Sequence, residues 1–114
     1  MFGQPKVPSV TVSDVPAVPD EIVLLDVREP YEWQAGHVEG AMHVPMGEVV
    51  ARLGELPQDR ELVVVCKVGG RSAQVVQYLN QAGFNAVNLD GGMSAWARAG
   101  RRMVSDTGAP PAVV

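Results

Sequence analysis

The sequence predicts an α/β fold in which helices cover both faces of a five-stranded, mostly parallel sheet. Short β-branched runs alternate along the chain with segments whose apolar residues recur at helical spacing, a pattern typical of parallel sheets. The run at 22–27 shows no alternation of apolar and polar residues, which indicates a strand covered on both faces.

Each predicted element is bounded by residues that suit its ends. Pro30 fits a first helical turn and Gly36 a helix stop, whereas Gly83 and Gly100 fit the ends of two later helices. The predicted strands are 9–12, 22–27, 41–44, 61–65 and 86–89. The predicted helices are 29–35, 46–53, 71–82 and 92–99.

The chain of 114 residues is long enough for one domain with a substantial core. We expect that domain at 9–100, preceded by a flexible lead-in at 1–8. Residues 101–114 contain two arginines and two adjacent prolines without periodicity, and they are predicted to form a flexible tail.

Composition and charge narrow the classes of function. A net charge of −4 argues against a general nucleic-acid or anionic-membrane partner. No apolar run approaches the roughly 18 residues of a membrane span, and the N-terminus lacks the features of a secretory signal. The single cysteine cannot form an internal disulfide. A free thiol fits a reducing compartment, so we expect a cytoplasmic protein.

The segment around that cysteine is the strongest candidate for a functional site. Cys66 ends a valine run, and Gly69 and Gly70 separate it from the start of a predicted helix at Arg71. Glycines allow backbone N–H groups to turn inward, and a helix N-terminus with cationic neighbours lowers the pKa of a thiol. A lone cysteine is more often an inert core residue. The adjacent glycines and the strand-to-helix change favour a reactive thiolate instead.

Three motifs in order resemble the rhodanese-like sulfurtransferase family. CKVGGRS at 66–72 is similar to the family's active-site loop, with the catalytic cysteine first. LDVRE at 25–29, followed by EW at 32–33, GHVEGA at 36–41 and Pro45, resembles its N-terminal signature. Residues 91–100 resemble its C-terminal signature. The resemblance implies the rhodanese-like three-layer fold, with a five-stranded sheet between helices.

The resemblance also implies a reaction. The Cys66 thiolate takes a sulfane sulfur from a donor such as thiosulfate, and the resulting persulfide passes that sulfur to cyanide or a thiol. The residues implied in substrate binding are Lys67, Val68, Gly69, Gly70, Arg71 and Ser72. Lys67 stands where the family often has arginine and lacks its forked donor geometry, which leaves the preferred sulfur donor open. Ser72 alternatively caps the helix, the commoner use of serine.

The remaining polar residues are expected to support the site. Asp26 and Arg28 sit at the C-terminal end of the 22–27 strand, an end expected to lie at the same edge of the sheet as Cys66. They are predicted to pair with each other or with loop backbone and to hold a shared crevice in shape. His37 and His43 lack a nearby metal-ligand pattern, so we expect no metal and no cofactor. Trp33 is predicted to anchor the core, like Trp96.

Two alternative functions are retained. One is a phosphatase or arsenate reductase, because dual-specificity phosphatases share a rhodanese-like fold. Their loop has five residues between cysteine and arginine, whereas this chain has four, which leaves less room for a tetrahedral oxyanion. The other is a sulfur-relay or binding module that hands the persulfide to one protein acceptor. Such a module should turn over small substrates poorly without its partner.

Overall fold

The computed structural model describes residues 7–16 and 21–114. The strands are β1 (Ser9–Val10), β2 (Ile22–Asp26), β3 (Met42–His43), β4 (Glu61–Val65) and β5 (Ala86–Leu89). The α-helices are α1 (Pro30–Ala35), α2 (Gly70–Gln81) and α3 (Gly92–Arg98). Most of the predicted lead-in at 1–8 falls outside the described residues.

The five strands form one sheet in the order β1-β5-β4-β2-β3. Every neighbouring pair within this sheet is parallel, with Leu25 opposite Val64 in the central pair. The valine run of β4 supplies the middle strand, where β-branched residues pack well on both faces. Because all strands run in one direction, the loops after β2, β4 and β5 meet at a single edge of the sheet.

Side chains alternate along the central strands between two hydrophobic cores. One face packs against α2 through a core that includes Leu25, Val64, Cys66, Val76 and Leu79. The opposite face packs against α3 through Leu24, Val63, Val65, Met93 and Trp96. The three-layer architecture expected from the sequence, with the sheet between helices, is therefore present. In the described part of the chain, no helix has the length and apolar character needed to cross a membrane.

The predicted helix at 46–53 is wrong. Two short 3₁₀ helices, Met46–Glu48 and Leu53–Glu55, occupy this segment with turns between them. Val49 is buried and Leu53 packs at the core margin, whereas Val50 is exposed. The apolar spacing thus reflects burial of individual side chains, and Gly47 and Gly54 disfavour a continuous α-helix.

The segment after residue 100 differs from the flexible tail predicted from sequence. His37 and Val104 exchange backbone hydrogen bonds of 2.9 and 2.8 Å in an antiparallel bridge. The Ala112 N–H donates to the carbonyl of Ala35 at 2.9 Å. Arg101 stacks over Trp96 at 4.5 Å and donates to backbone carbonyls before β2. These contacts attach the segment to the end of α1 and to the α3 layer.

Candidate active site

The candidate site is the loop between β4 and α2. Cys66 directly follows β4 and is almost wholly buried, with its side chain in the α2-side core. Its Sγ accepts a hydrogen bond from the N–H of Gly69 at 3.0 Å. The hydroxyl of Ser72 donates to the same sulfur at 3.2 Å. The sulfur is therefore a recessed acceptor that a small terminal group can reach more readily than a bulky one.

The surroundings of Cys66 favour its thiolate. Burial raises the pKa of the thiol, but the hydroxyl and N–H of Ser72 and the N–H groups of Gly69 and Val68 oppose this effect. The net result is a pKa below the ordinary value of a cysteine. Hydrogen bonds to the charged form are one of the physical causes of such a shift. The first turn of α2 adds its positive end.

Gly69 allows the loop to turn its N–H groups inward. Its φ of +118° lies in the left-handed region, and it forms the N-cap of α2. The alternative in which Ser72 caps the helix is therefore wrong. Ser72 lies inside the first turn of α2, and its hydroxyl donates a hydrogen bond to the Cys66 sulfur. The side-chain amide of Asn88 donates to the carbonyl of Gly69 at 3.2 Å and supports the turn from β5.

The N-terminus of α3 holds the loop from the other side. The N–H groups of Met93 and Ser94 donate to the carbonyls of Cys66 and Lys67 at 2.9 and 3.0 Å. This close approach requires Gly92, since a Cβ at that position would collide with the Cys66 carbonyl and lie 2.6 Å from that of Lys67. Both carbonyls are thereby bound by the first turn of α3.

Arg71 is engaged in a salt bridge. Its Nη1 and Nη2 donate to Oε1 and Oε2 of Glu32 at 2.8 and 3.0 Å. The Glu32 side chain is 4% exposed and that of Arg71 is 37% exposed. The hydrogen bond from Arg71 lowers the pKa of Glu32 despite burial, and Glu32 in turn raises the pKa of Arg71. Both groups are therefore charged near neutral pH.

Asp26 and Arg28 form the pair expected from the sequence, with 2.7 Å between Nη2 and Oδ2. The other donors of the buried Arg28 reach the carbonyls of Glu32 and Gly36. All three guanidinium nitrogens are therefore used inside the protein. The pair supports the end of α1, the helix that carries Glu32. A crevice that it shares with Cys66 stays a prediction.

The two histidines and Trp33 form a stack. The ring of Trp33 lies 3.7 Å from that of His37 and 4.7 Å from that of His43, nearly parallel to both. His37 Nδ1 is 2.8 Å from the carbonyl oxygen of Trp33, so this ring makes a hydrogen bond within the end of α1. Trp33 is only half-buried and is thus less of a core anchor than expected, whereas Trp96 is buried.

The other predicted binding residues line the same loop. Lys67 and Gly70 are exposed, and Val68 is 65% exposed at the outer side of the turn. Sequence reasoning assigned no role to Glu32 or Asn88. Glu32 belongs to the EW pair of the N-terminal signature, but its partner, Arg71, lies 39 positions further along the chain. Asn88 lies within the strand predicted at 86–89. The only sequence feature that could have indicated a role for it is its polar side chain in an otherwise apolar strand.

Comparisons with known proteins agree with this geometry. The rhodanese-like domain family matches residues 15–99. A sulfurtransferase of Allochromatium vinosum is 38% identical over 104 residues, which cover 90% of this chain and 97% of that protein. The putative sulfurtransferase YtwF of Bacillus subtilis is 42% identical over 77 residues, 68% of this chain and 75% of that protein.

A solved structure agrees as well. The rhodanese-related protein of Thermoplasma volcanium superposes with a TM-score of 0.81 at 32% identity, covering 85% of this chain and 97% of that one. The fold and the loop after β4 define a rhodanese-type α/β domain. This chain belongs to the rhodanese-like domain family. Its relatives support sulfurtransferase activity in general.

Proposed function

We propose that the protein transfers sulfane sulfur from a small donor, such as thiosulfate, to a thiol or cyanide through a persulfide on Cys66. The observation that supports this most is the set of neutral donors around one sulfur, the Gly69 N–H at 3.0 Å and the Ser72 hydroxyl at 3.2 Å. Such donors stabilise negative charge on sulfur without a metal or cofactor.

The first half-reaction loads the protein. The Cys66 thiolate attacks the outer sulfur of thiosulfate and forms a sulfur–sulfur bond. The bond between the two sulfurs of the donor breaks, and its electron pair leaves with sulfite. The product is the Cys66 persulfide anion. The N–H groups that stabilise the thiolate then act on the persulfide.

The second half-reaction unloads the protein. A thiolate or cyanide attacks the outer sulfur of the persulfide, and the electron pair of the broken bond returns to Cys66. The chain has a single cysteine, so no internal thiol can perform this step. The acceptor is therefore external, either a small thiol or a thiol of another protein. Because a catalytic free thiol suits a reducing compartment, we propose a cytoplasmic location.

Steady-state transfer from thiosulfate to cyanide, measured as thiocyanate, tests the proposal. Wild-type protein should turn over many times, whereas Cys66→Ser should form none above the uncatalysed rate. Substantial thiocyanate from Cys66→Ser would overturn the assignment of the nucleophile.

The same assay separates an enzyme from a relay module. Repeated turnover with cyanide or a small thiol indicates a free-standing enzyme. Stoichiometric loading with negligible release to small acceptors indicates a relay, which would need a protein acceptor.

A further inference from the structure

Asn88 is a polar residue at an apolar position of β5. Its side chain shares a face of the sheet with Ala86, two residues earlier, and with Val64, its partner on β4. Both neighbours belong to the core that packs against α2, and Asn88 itself is only 6% exposed. A leucine or valine would fill such a position without burying a polar group. Packing alone therefore does not explain an asparagine here.

The hydrogen bonds of the Asn88 amide are one-sided. Nδ2 donates to the carbonyl of Gly69 at 3.2 Å, whereas the buried Oδ1 has no hydrogen-bond partner in the part of the chain that the structure describes. A buried acceptor without a partner lowers stability. Asn80 differs, because its amide donates to the carbonyl of Ala86 at 2.9 Å and accepts from the N–H of the same residue at 2.8 Å. Asn80 is thus a satisfied structural link, and Asn88 is not.

The residue that Asn88 binds is also a residue that binds the sulfur. The Gly69 N–H donates to Cys66 Sγ at 3.0 Å, and the Gly69 carbonyl accepts from Asn88 and from the N–H of Ala73. Glycine adopts positive and negative φ about equally well, so the φ of +118° needs support from its neighbours. The Asn88 amide packs directly below, 3.6 Å from where a Cβ of Gly69 would lie. By holding the carbonyl, Asn88 restrains the direction of the N–H of the same residue.

We propose that Asn88 is a positioning residue for sulfur transfer, which acts through Gly69 to keep the loop N–H on the Cys66 sulfur. This inference rests on the proposed function. Without the amide, Gly69 can rotate, and its N–H spends less time on the sulfur. The thiolate then loses one of the donors that stabilise it, so the pKa of Cys66 rises. The fold loses little, because replacement by an apolar residue also removes an unpaired buried acceptor.

The charged groups at this edge of the sheet stay the same when Asn88 is replaced by an uncharged residue. They are carried by the ends of β2, α1, α2 and β5 and by the loop itself, and they are Asp26, Arg28, Glu29, Glu32, Lys67, Arg71 and Asp90. A shift in the titration of Cys66 in such a variant therefore reports the hydrogen bonds of the loop and not a change of charge.

The pH dependence of Asn88→Leu tests the proposal, because leucine removes the amide and keeps the approximate volume of the side chain. One readout is the rate of sulfur loading from thiosulfate, followed by intact mass. The other is the ultraviolet absorbance of the thiolate, with the Cys66→Ser protein as the blank, since the chain has a single cysteine. Both midpoints should move up by about one pH unit. Loading should be about tenfold slower than in the wild type below the wild-type midpoint, and equal to it above both midpoints.

Two further variants separate positioning from stability. Asn88→Ala also removes the amide and adds no volume, so it should show the same upward shift even where its smaller side chain lowers the melting temperature. The matched control is Asn80→Leu, which removes the amide at the other end of β5. It should lower the melting temperature and keep the wild-type midpoint. Asn88→Leu should do the reverse, with a melting temperature at or above that of the wild type.

Unchanged midpoints in both Asn88 variants would overturn the proposal and leave Asn88 as a structural residue. An equal shift in Asn80→Leu, or a loss of rate that is the same at every pH, would overturn it as well, because either result indicates general damage to the fold. If wild-type Cys66 takes up no sulfur from any donor, the proposed function fails instead. The thiolate titration would still decide the role of Asn88, so the two failures are distinguishable.

Discussion

Arg71 donates two hydrogen bonds to Glu32, with 2.8 Å between Nη1 and Oε1 and 3.0 Å between Nη2 and Oε2. The pair joins α1 to the first turn of α2, immediately after the Cys66 loop. It therefore fixes the position of the loop's last residue and the charge at the site together.

Arg71→Ala should reduce the free energy of unfolding and slow sulfur loading. The loss of stability should be about 1–3 kcal/mol, because the buried Glu32 carboxylate loses its partner. Loading from thiosulfate should slow by about 10- to 100-fold as the loop loses its anchor. Urea denaturation and intact-mass kinetics measure the two effects.

The double variant Glu32→Gln/Arg71→Ala is the control for this pair. Glutamine leaves no unpaired charge, so the double variant should be more stable than Arg71→Ala alone. If the stability losses of Glu32→Gln and Arg71→Ala add up to the loss in the double variant, the two residues act independently and the account of the pair is contradicted.

Ser72→Ala should shift the pH dependence of loading. The Ser72 hydroxyl lowers the pKa of Cys66, so its removal should raise that pKa. The rise of the loading rate with pH should therefore occur at a higher pH in the variant than in the wild type. At neutral pH the variant should load about tenfold more slowly. A pH–rate profile of persulfide formation measures both effects.

Ser94→Ala is the control for this profile, because it retains the N–H that bonds the Lys67 carbonyl. It should keep the wild-type profile. Superimposable profiles for Ser72→Ala and wild type would exclude a role for the hydroxyl at the sulfur.

Gly92→Ala should displace the catalytic loop. A methyl group there collides with the Cys66 carbonyl, so the hydrogen bonds from Met93 and Ser94 must lengthen. We expect a loss of about 2–4 kcal/mol in stability, from this collision and the positive φ of +57°, and a large loss of sulfur transfer.

Gly100→Ala separates these two causes. Gly100 has a φ of +71°, but a Cβ there meets nothing within 4 Å. Its variant should show only the backbone cost of about 1 kcal/mol and near-normal transfer. Equal loss of transfer in both variants would contradict the proposed loop contact.

Much of the fold was predictable because its signals are local. The valine run of β4, the glycines after it and the apolar spacing of α2 each identify an element without knowledge of its neighbours. The strand at 86–89 has the predicted bounds, and Gly83 follows α2 in the left-handed conformation expected of a helix end.

The features that sequence reasoning missed depend on distant contacts. Glu32 and Arg71 meet only because α1 and α2 begin at the same edge of the sheet. Residues 101–114 lack apolar periodicity, yet their backbone groups bond those of 34–37. At 46–53 the spacing was helical, but burial in a turn produces the same spacing over so short a range.

Loop size provides a prediction about reaction class. Four residues separate Cys66 from Arg71, and the sulfur they surround is almost wholly buried. The native protein should therefore show negligible hydrolysis of aryl phosphates. Insertion of one residue between Lys67 and Gly70 should weaken sulfur transfer, because the inward N–H groups lose their alignment. Efficient phosphatase activity of the native protein would refute the argument from loop size.

The most direct test of the account is the intact mass of the protein after incubation with a sulfane-sulfur donor and removal of small molecules. The wild type should carry one added sulfur, which persists in buffer because no second cysteine can displace it. Cyanide or a small thiol should remove it, and Cys66→Ser should acquire none. An unmodified wild-type mass with every donor, or an equal mass gain in Cys66→Ser, would contradict a persulfide on Cys66.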